Sequence, residues 1–261
     1  MLLEAIKHFF LKAPKPVKKL GFGKEVLAIN SRYNRCKAQW EPHLEATKSE
    51  IINIITKYEA NKNVLILGSG SLLDIPLLEL SKLTKSITLV DIIQLDNIKK
   101  TALKLPNVKI VERDVTDYAA PFMSWVKGPS ETPPPELPTP NFSIFNADLI
   151  ISLNLISQLS IYFLGYIDDH KLENFNDTFE QDIINAHLTA LKNSGANSWV
   201  IGDISRDYIE EGKVLKTDFL PKYLFLPTPV KSWNWDIAPR GEVDLKISIR
   251  HKVGVWDLSQ G

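Results

Sequence analysis

Short apolar runs alternate with amphipathic segments from about residue 60 onward. Five runs predict strands: 64–67 (VLIL), 87–90 (ITLV), 108–111 (VKIV), 148–153 (DLIISL) and 199–202 (WVIG). Apolar residues at helical spacing lie between most of them, around 72–83, 94–104 and 177–192. Continuous apolar strands separated by helices are typical of parallel strands that are buried on both faces. The pattern therefore predicts a doubly wound, mostly parallel α/β sheet.

The two ends of the chain depart from this alternation. Residues 243–257 have no helix signal and predict late antiparallel strands at the sheet edge. Residues 1–59 predict an N-terminal helical extension ahead of a domain that spans 60–261. The extension ends with a helix from about Pro42 to Tyr58, which leads into the first strand.

The start of the extension is basic. Residues 1–24 contain six lysines and one glutamate, and apolar residues at helical spacing before Pro14 predict a short amphipathic helix. Two interpretations remain open. The helix either docks on the domain with a solvated lysine face, or contacts anionic lipid peripherally through residues 1–20.

Composition narrows the class of protein. The net charge of zero gives no support to non-specific nucleic-acid binding. The single cysteine, Cys36, excludes an internal disulfide, and no run of 18 apolar residues predicts a membrane span. Without a secretory signal pattern, a cytoplasmic location is expected. Residues 128–141 (GPSETPPPELPTPN) predict an extended surface loop, because six prolines preclude a regular helix or central strand. The loop is either a plain surface excursion or a docking site for a proline-recognising module.

Gly68-Ser69-Gly70 follows the first strand directly. In an open α/β sheet, a glycine corner between a strand and a helix is where a nucleotide-like ligand approaches the backbone. A phosphate-binding P-loop needs Gly-Lys where this chain has Leu73-Asp74. A dinucleotide fingerprint needs a third glycine where Leu73 stands. Both ligand classes are therefore disfavoured.

Four stretches in order, VLILGSG, ITLVD, VERDVTD and ADLIISLNLISQL, resemble the motif series of class I S-adenosylmethionine (SAM)-dependent methyltransferases. The resemblance covers roughly residues 60–205. Shorter stretches, LGSGSLLDIPL, LVDI, DLIISLNLISQL and WNWDIAPRGE…HKVGVW, also resemble a bacterial subgroup of such proteins. The resemblance implies a Rossmann-like sheet of the class I methyltransferase type, with SAM as the cofactor.

The resemblance also implies which residues contact SAM. The glycine corner would lie under its amino-acid part, Asp91 would bind the ribose hydroxyls, and Asp114 the adenine amine. The end of the fourth strand would lie beneath the sulfonium and the acceptor. The expected cofactor-binding residues are Gly68, Ser69, Gly70, Asp91, Ile92, Asp114, Val115, Ser152 and Asn154.

Two positions depart from the family pattern. Ile66 stands where family members usually carry an acidic residue, and Leu72 stands where the third glycine is common. The amino group of SAM thereby loses its expected carboxylate, and Asp74 is the candidate replacement. These departures favour an alternative function, a catalytically silent interaction protein that keeps the fold. A third hypothesis, aminopropyl transfer, draws only on the acidic pair Asp168 and Asp169.

The predicted activity is methyl transfer to an oxygen or nitrogen of a small molecule or a protein side chain. Nucleic acid is not expected, because NLIS at 154–157 lacks the prolines and aromatic of the [DN]PP[YF] motif. Three segments are candidates for the acceptor pocket: 31–43, 162–170 and 233–242. The candidate catalytic residues from them are His43, Asp168, His170 and Trp235. No metal site is predicted, because Cys36 and the five histidines lack ligand spacing.

Overall fold

A computed structural model describes residues 14–58, 61–128, 132–172, 175, 177–219 and 226–260. The amphipathic helix predicted before Pro14 lies outside these residues. No helix in the described part of the chain is long and apolar enough to cross a bilayer.

The helices are α1 (Lys15–Lys19), α2 (Phe22–Arg35), α3 (Lys37–Thr56), α4 (Leu77–Leu83), α5 (Asp96–Ala102), α6 (Ala119–Trp125), α7 (Ile161–His170) and α8 (Phe179–Lys192). The strands are β1 (Asn63–Leu67), β2 (Ser86–Asp91), β3 (Val108–Glu112), β4 (Leu149–Leu153), β5 (Asn197–Glu210), β6 (Lys213–Phe219), β7 (Lys231–Ala238) and β8 (Ile247–Asp257).

The strands form one sheet in the order β3-β2-β1-β4-β5-β8-β7, and β6 pairs with the second half of β5. Strands β1 to β5 are parallel, whereas β7 and β8 are antiparallel additions. The predicted Rossmann-like architecture is therefore confirmed. The chain reverses direction across the sheet between β1 and β4, so the topological switch point lies at their carboxyl ends, where such sheets bind ligands.

Alternating residues of the parallel strands supply two separate cores. Leu65 of β1 belongs to a cluster that contains Phe122 of α6 and Phe163 of α7. Ile66 belongs to the cluster on the other face, with Ile51 of α3. All five side chains are fully buried. Burial on both faces explains why the strands are continuous apolar runs.

The N-terminal extension docks on the late strands. Arg35 of α2 binds Glu242 through two hydrogen bonds, at 2.9 and 2.5 Å. Lys231 of β7 binds Glu50 of α3 at 2.6 Å. Trp40 Nε1 donates to the Ile237 carbonyl at 2.9 Å. These contacts hold α2 and α3 against β7 and the loop that follows it, beside the carboxyl end of the sheet.

Two helix boundaries differ from the prediction. Helix α3 begins at Lys37, before Pro42, so the proline lies inside the helix. Residues 72–76, predicted as helix, form a turn, and α4 begins only at Leu77. The cause is Pro76, since the residue before a proline disfavours helical backbone angles. Asp74 is therefore on a loop and not in a helical turn.

Candidate ligand-binding cavity

A cavity lies at the carboxyl ends of β1 to β4, at the switch point of the sheet. It contains about 1130 Å³ of empty space, which includes the open solvent at its mouth. Its floor is the loops after the parallel strands. One wall is formed by α3 and β7, and α2 contributes a roof.

Eight of the nine expected cofactor-binding residues line the cavity: Gly68, Ser69, Gly70, Asp91, Ile92, Asp114, Val115 and Asn154. Ser152 does not. It is 0% exposed, and its Oγ lies 2.9 Å from His187 Nε2 of α8. Strand alternation turns this side chain into the core below the cavity.

The two glycines of the corner serve different purposes. A Cβ on Gly68 would lie 2.4 Å from the Leu153 carbonyl oxygen and 2.7 Å from Leu155 Cγ, so the chain itself requires a glycine here. A Cβ on Gly70 would meet no atom within 4 Å, because this residue faces open space. Gly68 thus lets β1 approach β4, and only Gly70 leaves room for a ligand.

Asp91 at the end of β2 supports the glycine corner from below. Its Oδ2 accepts the Gly70 N–H at 2.7 Å, and Oδ1 accepts the Ile93 N–H at 3.4 Å. Burial raises the pKa of this carboxyl group, against the lowering effect of these backbone donors. A carboxylate offers about four acceptor positions, so Asp91 retains capacity for a ligand.

Asp114 is more fully occupied by its own chain. Its Oδ1 accepts both the N–H and the hydroxyl of Thr116, at 2.9 and 2.7 Å. Its Oδ2 accepts the Ala119 N–H at 2.7 Å, at the start of α6. One acceptor position is left for a ligand, so Asp114 both orders the turn and lines the cavity.

Asp74 and Asn154 form a polar pair between the ends of β1 and β4. Asn154 Nδ2 donates to Asp74 Oδ2 at 2.8 Å. Burial raises the pKa of Asp74 to about 6, although this hydrogen bond and a more distant attraction to Lys48 lower it. Asn154 has a left-handed φ of 51°, and its Oδ1 is buried without a hydrogen-bond donor among the described residues.

The two departures from the family pattern have distinct structural outcomes. Leu72 has a φ of 58°, so the loop keeps the left-handed backbone that favours glycine. Ile66 is 0% exposed within the core against α3. A carboxylate at position 66 would therefore be buried among apolar side chains.

An aromatic wall of Trp40, His43 and Trp235 closes the end of the cavity beside β7. The His43 ring stacks on Trp235 with 4.0 Å between centroids and 8° between planes. Trp40 meets Trp235 edge to face at 5.0 Å. Trp233 Nε1 donates to His43 Nδ1 at 3.0 Å, so both tryptophans of β7 contact His43. Burial lowers the pKa of His43 to about 3, and the ring is neutral.

The roof residues were missed in the sequence. Phe22, Val26 and Ile29 of α2 line the cavity, and Phe22 packs on Tyr162 with ring centroids 4.1 Å apart. Their spacing of four and three residues places them on one helical face. This apolar periodicity is the sequence signal that could have identified the cavity-facing side of α2.

The structure does not bring Asp168 and His170 into the cavity. Both are exposed at the end of α7, with Asp169 between them. The His170 ring stacks on Tyr166 of the same helix at 3.8 Å. Among the described residues, no group of three or more potential ligands could hold a metal ion.

No protein-family model matches the chain, and no curated protein matches its sequence. Solved structures similar to it include 1,6-didemethyltoxoflavin-N1-methyltransferase of Burkholderia thailandensis, with 1,6-didemethyltoxoflavin and S-adenosylhomocysteine (SAH) bound. That chain is 13% identical with a TM-score of 0.40, and the match covers 94% of this chain and 91% of the other. The N-methyltransferase NodS of Bradyrhizobium japonicum WM9 is 11% identical with a TM-score of 0.37, over 82% and 96%.

We expect Gly68→Ala and Gly70→Ala to lower the stability of the protein by different amounts. Gly68→Ala should lower the free energy of unfolding by about 2–4 kcal/mol, because its Cβ overlaps β4 and its φ is positive. Gly70→Ala should cost only about 1 kcal/mol, the strain of a left-handed alanine. Urea unfolding followed by circular dichroism measures both. Equal losses would contradict the different roles assigned to the two glycines.

We expect Asp74→Asn to stabilise the ligand-free protein above about pH 6. The folded-state pKa is raised, so stability is lost as pH rises from about 4 to about 6, while the folded carboxyl group holds its proton. Removing the charge should return about 1–2 kcal/mol at neutral pH, because each pKa unit is worth about 1.4 kcal/mol and the group is partly open to the cavity.

Thermal unfolding at several pH values tests this expectation. The gain should shrink toward about pH 4. The control is Asp96→Asn, which removes an exposed carboxylate on α5 and should give no such gain. If Asp74→Asn were less stable than the wild-type protein at neutral pH, the charge of Asp74 would not destabilise the folded state.

Proposed function

We propose that this chain is a SAM-dependent methyltransferase that transfers a methyl group to a nitrogen or oxygen of an acceptor. The observation that carries the proposal is the convergence of the glycine corner, Asp91, Asp114 and Asn154 on one cavity at the switch point of the sheet. These residues come from loops after four different strands. The predicted bacterial subgroup and the location in the cell stay predictions.

The residues fit SAM at its adenosine end. Asp91 lies at the end of β2 beside Gly70 and keeps acceptor capacity for ribose hydroxyls. Val115 and the remaining acceptor position of Asp114 lie one strand further out, where adenine would be held. Gly70, with no atom near its missing side chain, leaves space above the corner for the amino-acid end.

Asp74 replaces the acidic residue that is absent at position 66. Its carboxyl group is in the cavity wall, within the loop that begins with the glycine corner. It is tied to Asn154 at the end of β4. A buried carboxylate with a raised pKa gains stability from a cationic ligand. The ammonium group of the cofactor supplies such a cation.

SAM supplies an electrophilic methyl group on a sulfonium, and the chain's own contribution is to position the partners and to exclude water. Positioning alone can account for much of such a rate. Phe22, Val26 and Ile29 of α2 cover the cavity with apolar surface. The aromatic wall borders the side next to Asn154, which leaves that side for the acceptor.

The silent interaction protein remains the competing interpretation, and ligand binding decides between them. Its main support was the loss of the acidic residue at Ile66, which Asp74 offsets. Aminopropyl transfer has lost its support, because Asp168 and Asp169 are exposed on α7 and do not line the cavity.

We expect SAH to bind the protein in calorimetric titrations, and Asp91→Asn to weaken binding by about tenfold through loss of a charged hydrogen-bond acceptor. The asparagine can still accept the Gly70 N–H, so the melting temperature should change little. Alanine at this position would leave that N–H unpaired and confound the result. Asp96→Asn is the matched control. If SAH fails to bind the folded protein, the proposal is wrong.

We also expect SAH affinity to rise with pH from about 5 to about 7, as Asp74 ionises and gains attraction for the ligand ammonium. In Asp74→Asn this rise should be much smaller, and affinity at neutral pH should fall. Calorimetry at several pH values measures both. A pH dependence that is unchanged in the variant would remove Asp74 from the cofactor site.

A further inference from the structure

The cavity wall is negatively charged or neutral throughout. Among the described residues that line it, three are carboxylates, namely Asp74, Asp91 and Asp114, and none is lysine or arginine. His43 is neutral, because burial lowers its pKa to about 3. An anionic group on a ligand beside the aromatic wall would be desolvated without a cationic side chain to pair with it, which is strongly unfavourable.

The order of the strands divides the cavity into two ends. Asp114 follows β3 at one side of the parallel sheet, whereas Trp235 belongs to β7 at the other. Asp91 and Gly70 lie toward the β3 side and Asn154 lies at the centre. The aromatic wall is therefore the part of the cavity left for the methyl acceptor.

Trp235 presents the accessible ring of the aromatic wall, because Trp40 and His43 are only 2% and 1% exposed. Trp40 Nε1 is bonded to the Ile237 carbonyl and His43 Nδ1 to Trp233 Nε1. Trp235 packs against both Trp40 and His43, and its Nε1 is buried without an acceptor among the described residues. Such a wall recognises a ligand through stacking and edge-to-face contacts with a flat apolar body.

The lining of the same cavity contains one acceptor atom that is buried without a donor among the described residues, Asn154 Oδ1. The hydrogen bond from Asn154 Nδ2 to Asp74 fixes the amide orientation, which leaves Oδ1 buried and without a donor among the described residues. The left-handed backbone of Asn154 adds strain at the same position. A buried carbonyl oxygen without a partner costs free energy, which a ligand N–H would recover.

We propose that the methyl acceptor is a small, flat aromatic amine without an acidic group. Its ring lies against Trp235, which Trp40 and His43 pack against and hold in place, and its amino group donates to Asn154 Oδ1. This inference rests on the proposed function and names the substrate class of the same site.

A nitrogen nucleophile is favoured over a hydroxyl group because the cavity lacks a suitable base. A neutral amine carries a lone pair as it stands, whereas a hydroxyl group must lose its proton during attack. His43 is too weak a base, with a pKa of about 3. Asp114 is held by Thr116 and Ala119. Asp74 and Asp91 are committed to the cofactor in the proposed function.

The chemical step balances without a further reactant. The lone pair of the amine nitrogen forms a bond to the methyl carbon while the methyl–sulfur bond breaks. The electron pair of the broken bond stays on sulfur, which becomes the neutral thioether of SAH. The methylated ammonium then releases its surplus proton to water. The hydrogen bond to Asn154 Oδ1 holds the nitrogen in place while its lone pair remains free.

Three matched probes test the inference: 5-aminoindole, 5-hydroxyindole and indole-5-carboxylate, which share one ring and differ in one group. Binding is measured by calorimetry at mildly alkaline pH on protein saturated with SAH, so no turnover is needed. We expect the amine to bind about tenfold or more tightly than the carboxylate, since the anion would be buried unpaired. The hydroxyl probe should lie between them.

The variant Trp235→Leu should weaken binding of 5-aminoindole by about tenfold, through loss of ring contacts, and should leave SAH binding intact. Trp125→Leu is the matched control, because Trp125 is also partly buried but lies on α6 outside the cavity. Equal or tighter binding of the carboxylate would overturn the inference. Unchanged affinity of Trp235→Leu for 5-aminoindole would also overturn it, as would a failure of all three probes to bind the protein that holds SAH. Failure of SAH itself to bind would instead overturn the proposed function, and the inference with it.

Discussion

The close approach of β1 to the end of β4 is the constraint on which the site depends. At Gly68 the backbone passes so near the Leu153 carbonyl that a Cβ would lie 2.4 Å from it. This contact brings the loop after β1 beside the loop after β4. Asp74 therefore meets Asn154 at 2.8 Å. A side chain at this point would overlap the Leu153 carbonyl and Leu155, so one of the two loops would have to shift.

The cavity buries carboxyl groups whose ionisation is unfavourable there. Asp74 and Asp91 are buried with raised pKa values, and the described lining supplies no lysine or arginine to neutralise them. Burial of unpaired carboxylates is unfavourable for folding, and such cost is typical of binding sites. SAM carries a sulfonium, an ammonium and one carboxylate, and its net positive charge relieves this cost. The electrostatics of the empty cavity thus agree with the cofactor that the motif order implies.

The parallel strands could be predicted from sequence to within two residues at most ends, because burial on both faces leaves continuous apolar runs. The second half of β5 and the whole of β6 could not be predicted from the sequence. β6 is exposed along most of its length, so it carries no hydrophobic alternation. Helix α2 lies within the predicted helical extension, but the cavity contacts of Phe22, Val26 and Ile29 depend on how the extension docks, which the sequence does not reveal.

The residues of the candidate cofactor site could be predicted because the motifs follow one another in a fixed order along the strands. The candidate catalytic residues were chosen by side-chain chemistry alone, and only some of them lie in the cavity. His43 and Trp235, from distant segments, meet in one wall, which sequence spacing cannot reveal. Asp168 and His170 have suitable chemistry but lie at an exposed helix end. Ser152 shows that one residue along a strand changes the face, since it lies in the core although its neighbour Leu153 lines the cavity.

A crystal structure of the complex with SAH is the measurement that tests the central claim most directly. The account predicts adenine beside Val115, ribose on Asp91, and the amino-acid end over Gly70 with its ammonium at Asp74. The sulfur atom should lie near Asn154, facing the aromatic wall. SAH bound in the reverse direction, or outside this cavity, would contradict the account.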